Sequence, residues 1–165
     1  MRRVEDIIGD TIAAGVGVLI KQLIKPDMKF KSVADIDKKM IESLKRDYGI
    51  EAIVLDVDET LRSDSKDIPK CNKEWLQNLK GELKVIILSN GIDRDVEKYF
   101  NEIGIDYIGF ALKPLKRNFK KACEKLQVRP EKTLMIGNDL IDDVWGGRRS
   151  KMKTALVREV DDDER

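Results

Sequence analysis

The sequence predicts a single α/β domain built on a central parallel sheet, and three observations carry that expectation. From residue 50 onward, short runs rich in Ile, Val and Leu alternate with amphipathic stretches of helical period, the pattern of strands joined by crossover helices. Polar clusters follow these runs directly, where the strands of such a sheet open into a ligand crevice. The chain has 165 residues, 41% of them hydrophobic, which is the size of one domain with a sizeable core.

Strands are expected at Ala52–Val57, Lys84–Ser89, Tyr107–Phe110, Thr133–Ile136 and Thr154–Val157. Helices fill the intervals at Asn72–Lys80, Asp93–Glu102, Leu115–Leu126 and Asp142–Arg149, and Asp37–Asp47 forms one more that leads into the first strand. The main domain then spans residues 26–158, preceded by an apolar, amphipathic segment at 1–25 and followed by an acidic tail at 159–165. The run Asp161-Asp162-Asp163-Glu164 reads as a solvated, disordered end.

Residues 1–25 differ in composition from the rest. No charge occurs between Thr11 and Ile20, Val4, Ile8, Ile12, Leu19 and Leu23 roughly follow helical spacing, and Arg2, Arg3, Lys21 and Lys25 bracket the stretch. It is too short to span a bilayer and lacks a small-residue cleavage site. Three settings fit it: a helix packed on the domain, a helix lying on a membrane surface, or an oligomer contact. Gly9, Gly15 and Gly17 weaken the helix.

Composition excludes whole classes of chemistry. The chain has no histidine, which removes Ser-His-Asp and Cys-His triads, histidine-ligated zinc and histidine phospho-relays. Cys71 and Cys123 are too few for a disulfide framework or a zinc site and fit a reducing, cytoplasmic setting. The balance of 32 Lys+Arg against 31 Asp+Glu provides no global field for nucleic acid. Catalysis must therefore run on carboxylates, hydroxyls, lysine and a hard cation, and oxygen-only ligation points to Mg²⁺.

The decisive motif is Asp56-Val57-Asp58-Glu59-Thr60, directly after Ile53-Val54-Leu55. Strand alternation sends Asp56 and Asp58 to one side. One carboxylate can attack phosphorus and hold a cation while its neighbour handles protons. Taken alone, the pair could be surface acids at a strand end. Three further signals follow in order, each after an apolar run: Ser89-Asn90-Gly91, then Lys113-Pro114, then Gly137-Asn138-Asp139 with Asp142 and Asp143. Phosphoryl transfer needs these types: a nucleophile, a hydroxyl and backbone donors for the phosphoryl oxygens, a cation and metal ligands.

With these motifs the chain resembles the haloacid dehalogenase (HAD) superfamily of phosphatases over residues 26–158. It looks most like the YqeG-type branch of subfamily IIIA, which also contains the eukaryotic phosphatidylglycerophosphate phosphatases. Leu23-Ile24-Lys25-Pro26-Asp27, Lys31-Ser32-Val33-Ala34-Asp35-Ile36-Asp37, Ala111-Leu112-Lys113-Pro114-Leu115-Lys116 and Asp143-Val144-Trp145-Gly146-Gly147-Arg148-Arg149 support that likeness. The resemblance implies a HAD-like Rossmannoid three-layer fold. It makes Asp56 the nucleophile that forms an aspartyl-phosphate. Asp58 becomes the acid that protonates the leaving oxygen and then activates water, its carbonyl touching Mg²⁺. Ser89 and Lys113 bind the transferring group, with Thr60 and Asn90 beside them as phosphate-contacting residues. Where the branch has Gly-Asp, this chain has Gly137-Asn138, with an acid one position later. Either Asn138 or Asp139 therefore completes the metal set with Asp56, Asp58 and Asp143.

Caps in this superfamily are inserted after the first motif or between the second and third. Leu61 to Pro69 is only a short loop, and one helix and one strand fill the interval from Ser89 to Lys113. No cap domain fits, so the site is expected to be open. The function expected is Mg²⁺-dependent hydrolysis of a phosphomonoester. Phosphatidylglycerophosphate is the substrate implied by resemblance, with peripheral membrane contact through residues 1–25. The alternatives are a phosphatase for soluble sugar or nucleotide phosphates and a HAD-fold binding protein with weak turnover.

Overall fold

A computed structural model describes residues 15–161 and 163, apart from 20, 64 and 65. Six parallel strands form one sheet in the order β1-β6-β5-β2-β3-β4. They are β1 (Met28–Phe30), β2 (Ala52–Leu55), β3 (Lys84–Leu88), β4 (Asp106–Ile108), β5 (Thr133–Gly137) and β6 (Lys153–Val157). The helices are α1 (Lys38–Tyr48), α2 (Lys70–Glu82), α3 (Arg94–Glu102), α4 (Lys116–Leu126) and the short α5 (Gly146–Arg149).

The central strands are apolar on both faces because both faces are covered. Ile53 and Leu55 of β2 join a cluster with Leu44 of α1, Leu76 of α2 and Phe100 of α3. Ala52 and Val54 point the other way, to Phe119, Ala122 and Leu126 of α4. The result is the expected three-layer architecture. The expected helix at Asp37–Asp47 is α1, with the Asp37 carboxylate accepting the Met40 amide at 2.8 Å and Gly49 closing the far end at φ +64°.

Two differences from the sequence reading concern the sheet and the last helix. Strand β1 adds an edge that the sequence reading lacks: Asp27 anchors it by accepting the Thr154 amide at 2.9 Å. The helix expected at Asp142–Arg149 begins as a π-helical turn, Leu140–Trp145, in which the Asp139 carbonyl accepts both the Asp143 and Val144 amides. One extra residue is thereby inserted ahead of α5.

The tail does not behave as a free end over its described residues. After β6 the chain runs on beside the segment that follows β1, and Lys31 O accepts the Arg158 and Glu159 amides at 3.0 and 2.8 Å. Asp161 accepts from Ser32 Oγ and the Ala34 amide. Asp163 accepts the Lys70 and Cys71 amides at 2.9 and 2.8 Å. Pro69 offers α2 no side-chain cap, so a carboxylate from the far end of the chain caps it instead.

At the other terminus, residues 15–19 and 21–23 are helical, with Val16, Val18, Leu19 and Leu23 exposed. Over these residues the segment is not packed into the core. The rest of the expected N-terminal helix, residues 1–14 and 20, lies outside the described residues, and no described helix is long and apolar enough to cross a membrane.

The amides of Cys71 and Lys70 hold the Asp163 carboxyl below its usual pKa. A lowered native value means the contribution is present above the ordinary carboxylate range and is lost as pH falls through that lowered value. Asp163→Ala should therefore lower Tm by a few degrees at neutral pH, with the deficit shrinking under acid. An unchanged Tm at pH 7 would show that the cap contributes nothing.

Candidate active site

The sheet order places a switch point at β2, whose neighbours β3 and β5 lie on opposite sides. Chain segments leave the two sides in opposite directions, so a crevice opens at the C-terminal end of β2. Asp56 is the first residue past that end, and its amide still pairs with Ile136 O of β5 at 3.0 Å. Eight of the nine expected site residues line one cleft there: Asp56, Asp58, Ser89, Asn90, Lys113, Asn138, Asp139 and Asp143, joined by Gly91 and Asp142.

The cleft is organised around Lys113. Its ammonium donates to Asp56 Oδ1 at 2.7 Å and to Asp143 Oδ1 at 2.6 Å, with the lysine side chain only 2% exposed. Burial alone would lower the Lys113 pKa, but Asp143 and Asp56 outweigh it and hold the value above the ordinary one. Lys113 is therefore charged. Burial, and then the neighbouring Asp56 carboxylate, push Asp143 well above the usual carboxylate range, against the pull of Lys113 and the Asp139 amide.

Several local devices set this geometry. Asn90 Oδ1 accepts the Lys113 amide at 2.7 Å, and the Lys113–Pro114 peptide that follows is cis. Asp143 lies in the π-helical turn, its Oδ2 accepting the Asp139 amide at 3.0 Å. Gly137 makes room for it, since a Cβ there would stand 2.1 Å from Asp143 Oδ2.

Three expected residues, Thr60 and Asn90 of the phosphate-contacting set and Asp139 of the metal set, are engaged in hydrogen bonds within the protein. Thr60 is fully buried behind Asp56, and its hydroxyl donates to Asp56 Oδ2 at 3.1 Å. Asn90 spends its amide on Asp142 Oδ2 at 2.9 Å and its oxygen on Lys113, tying two loops together. Asp139, one of two candidates to complete the metal set, accepts the Ile141 and Asp142 amides through Oδ1 at 2.7 and 2.8 Å. That carboxylate caps a helical turn. Asn138 lines the cleft with its side chain outside this hydrogen-bond network. Ser89 Oγ accepts the Gly91 amide at 3.1 Å.

Arg62 was not legible as a site residue. It is buried, donates through Nε to Asp58 Oδ1 at 2.8 Å and through Nη1 to Asp93 Oδ2 at 2.9 Å, and also reaches Lys66 O at 3.2 Å. The signal that could have found it is the i,i+4 spacing from Asp58. The pairing leaves Asp58 Oδ2 on the cleft side, 3.5 Å from where a Cβ on Gly91 would stand.

The cleft carries five aspartates and one lysine. Such a surplus repels a phosphate dianion, and an added divalent cation reverses the sign. The donors are all oxygen, the set that suits Mg²⁺. Among the described residues, no three carboxylates converge on one point, because Lys113 occupies the space between Asp56 and Asp143. The residues fit a hard cation in donor type and charge, with Asp56, Asp143 and the Asn138-Asp139 pair supplying the oxygens at hand.

Crowding at Gly137 generates a direct test. Gly137→Ala should displace Asp143, break its contact with Lys113 and lower stability by about 1–3 kcal/mol, read as a shift of the urea midpoint. Wild-type stability would mean that Asp143 yields freely.

Comparison with known proteins shows the family. A model of haloacid dehalogenase-like hydrolases matches residues 21–151. A probable phosphatase, YqeG of Bacillus subtilis (strain 168), is 29% identical over 141 residues, covering 84% of this chain and 80% of the relative. A glyceraldehyde 3-phosphate phosphatase of Pyrococcus furiosus is 26% identical over 102 residues, 56% of this chain and 42% of that protein. Among solved structures, an uncharacterized protein from Listeria monocytogenes serotype 4b superposes with a TM-score of 0.55 at 23% identity, over 70% of this chain and 84% of that one. A putative 3-deoxy-D-manno-octulosonate 8-phosphate phosphatase from Vibrio cholerae does so with a TM-score of 0.52 at 20% identity, over 69% and 67%. These two structures share the fold. With the family match running over most of its length, the chain belongs to the haloacid dehalogenase-like hydrolases.

Proposed function

We propose that this hydrolase cleaves phosphomonoesters through an aspartyl-phosphate on Asp56 and requires Mg²⁺. The observation that carries the proposal is the setting of Asp56: one oxygen on the Lys113 ammonium, the other on the Thr60 hydroxyl, at the mouth of the crevice. Both contacts fix the carboxylate in orientation, which removes rotational freedom from the attack. The phosphatase names of the similar proteins add support.

In the first half-reaction Asp56 forms a bond to phosphorus as the ester P–O bond breaks, and Asp58 gives its proton to the departing oxygen. In the second, Asp58 takes a proton from water, whose oxygen attacks phosphorus. The bond from phosphorus to Asp56 then breaks and inorganic phosphate leaves. Lys113 and the Ser89-Asn90-Gly91 turn face the phosphoryl oxygens and offset their charge. Mg²⁺ held by Asp56, Asp143, Asn138 and the Asp58 carbonyl would supply the remaining positive charge. Asn138 is preferred to Asp139 here because Asp139 Oδ1 already accepts two amides of its helical turn, whereas the Asn138 side chain has no such commitment.

The open mouth suits a bulky phosphomonoester. No helix or strand interrupts the described residues between Leu61 and Pro69, and only α3 and β4 separate Ser89 from Lys113. Phosphatidylglycerophosphate, the substrate implied by resemblance, is the first to assay, with soluble sugar and nucleotide phosphates as the rival class. A weakly active binding protein is the third reading, and the fully assembled Asp56–Lys113–Asp143 contacts argue against it.

Asp56→Asn should abolish turnover of an aryl phosphate while keeping the fold, and Asp58→Asn should lose about 10²–10⁴-fold. Arg62→Ala frees the Asp58 carboxylate, so its loss should be larger for alkyl phosphates, whose leaving oxygen needs the proton, than for aryl phosphates. Wild-type rates in Asp56→Asn would overturn the mechanism.

EDTA should remove activity and Mg²⁺ restore it, with Zn²⁺ a poor substitute. Asn138→Asp should lower the Mg²⁺ concentration for half-maximal activity, and Asp139→Ala should leave that concentration nearly unchanged. The reverse pattern would assign the ligand to Asp139, and metal-independent turnover would exclude both.

A further inference from the structure

We propose that Asp93, at the start of α3, is a positioning residue for the proton transfers assigned to Asp58, and that it acts through Arg62. The inference rests on the phosphomonoesterase reading and adds to it the means by which the acid is held. Asp93 stands outside the four strand-end motifs, two residues beyond the Ser89-Asn90-Gly91 turn.

The two oxygens of Asp93 do separate things. Oδ1 accepts the Asp95 and Val96 amides, both at 3.1 Å, and so caps α3. Oδ2 takes no part in that cap and accepts from Arg62 Nη1 at 2.9 Å. A serine or threonine caps a helix with a single oxygen, and Asp95 and Glu97 already put negative charge in the first turn of α3. Helix stability therefore accounts for Oδ1 and not for the second oxygen.

That second oxygen acts on Arg62. The Arg62 side chain is 8% exposed, and its backbone is fixed. Its carbonyl accepts the Glu59 amide at 2.7 Å, and the carbonyl of Leu61 before it accepts from Asn72 Nδ2 at 2.8 Å. From there Nε donates to Asp58 Oδ1 at 2.8 Å, while Nη1 is shared between Asp93 Oδ2 and, at 3.2 Å, Lys66 O. A guanidinium is a planar fork that readily takes both oxygens of one carboxylate. Asp93 and the Lys66 carbonyl draw the Nη1 edge aside, so Asp58 is held through Oδ1. Its Oδ2 is left on the cleft side: a Cβ on Gly91 would stand 3.5 Å from Asp58 Oδ2 and 3.6 Å from Ser89 Oγ. In the proposed reaction this is the oxygen that gives a proton to the leaving group and later takes one from water.

Loss of the Asp93 contact lets Arg62 close on both oxygens of Asp58 and draws the acid away from the substrate. The nucleophile is untouched, because Asp56 is held by Lys113 and Thr60. The damage is therefore specific: departure of a poor leaving group suffers more than attack on phosphorus.

Asp93→Ser keeps a cap for α3 and removes the contact to Arg62. In assays with Mg²⁺, the ratio of kcat/KM for a simple alkyl phosphate to that for para-nitrophenyl phosphate should fall at least about tenfold. That constant reports the half-reaction in which the ester oxygen departs. Asp93→Thr, a second capping residue without the second carboxylate oxygen, should show the same fall. In an Arg62→Ala background, Asp93→Ser should lower the ratio no further. A wild-type ratio in both single variants overturns the proposal, and so does an equal loss on the two substrates, which a merely structural role would give. A fall of the same size with and without Arg62 also overturns it, since Asp93 then acts by another route. The hydrolase reading fails on a different measurement, activity in Asp56→Asn. An inactive Asp56→Asn beside a wild-type ratio in the Asp93 variants removes the positioning role alone.

Discussion

The ammonium of Lys113, sealed between Asp56 and Asp143, is the contact on which the rest of the site depends. Three charges buried this deeply are unfavourable unless each is paired, and removing one partner of such a set typically costs about 3–5 kcal/mol. The surrounding chain is fitted to that requirement. Asn90 holds the Lys113 backbone, the Asp139 amide holds the second oxygen of Asp143, and Gly137 leaves the space that Asp143 fills. In the mechanism we propose, the same lysine that balances two carboxylates in the resting protein also balances the phosphoryl group. Its position therefore has a structural and a chemical basis together.

The parallel sheet converts this local requirement into a site. Strands β2, β3 and β5 bring Asp56, Ser89 and the Gly137-Asn138-Asp139 turn to one edge, and the loop after β4 brings Lys113 there. Among the described residues no cap lies over that edge, and the cleft is open to solvent.

Much of this was legible in the chain itself. Ile53-Val54-Leu55 followed by Asp56 and Asp58 encodes a buried strand ending in two carboxylates, and the three later motifs recur after strands in the same way. What could not be read is non-local or too short for a periodic signal. Strand β1 has three residues, too few to display an alternation of two. The π-helical turn differs from an α-helix by one residue, which a 3.6-residue period does not resolve. Asp161 and Asp163 read as tail charges because their partners lie some ninety or more residues away in the chain. Thr60 carries the right hydroxyl for a phosphate, but the turn after Asp58 buries it behind Asp56. Arg62 reads as an ordinary loop cation until its two carboxylates are seen around it.

The account stands on Asp56 becoming phosphorylated during turnover. Quenching the enzyme during steady-state hydrolysis and reducing with borohydride would convert an acyl phosphate to the corresponding alcohol, which peptide mass spectrometry can locate. The account predicts homoserine at position 56, dependent on substrate and lost when Mg²⁺ is withheld. Reduction at another carboxylate, or no reduced residue during active turnover, would contradict it.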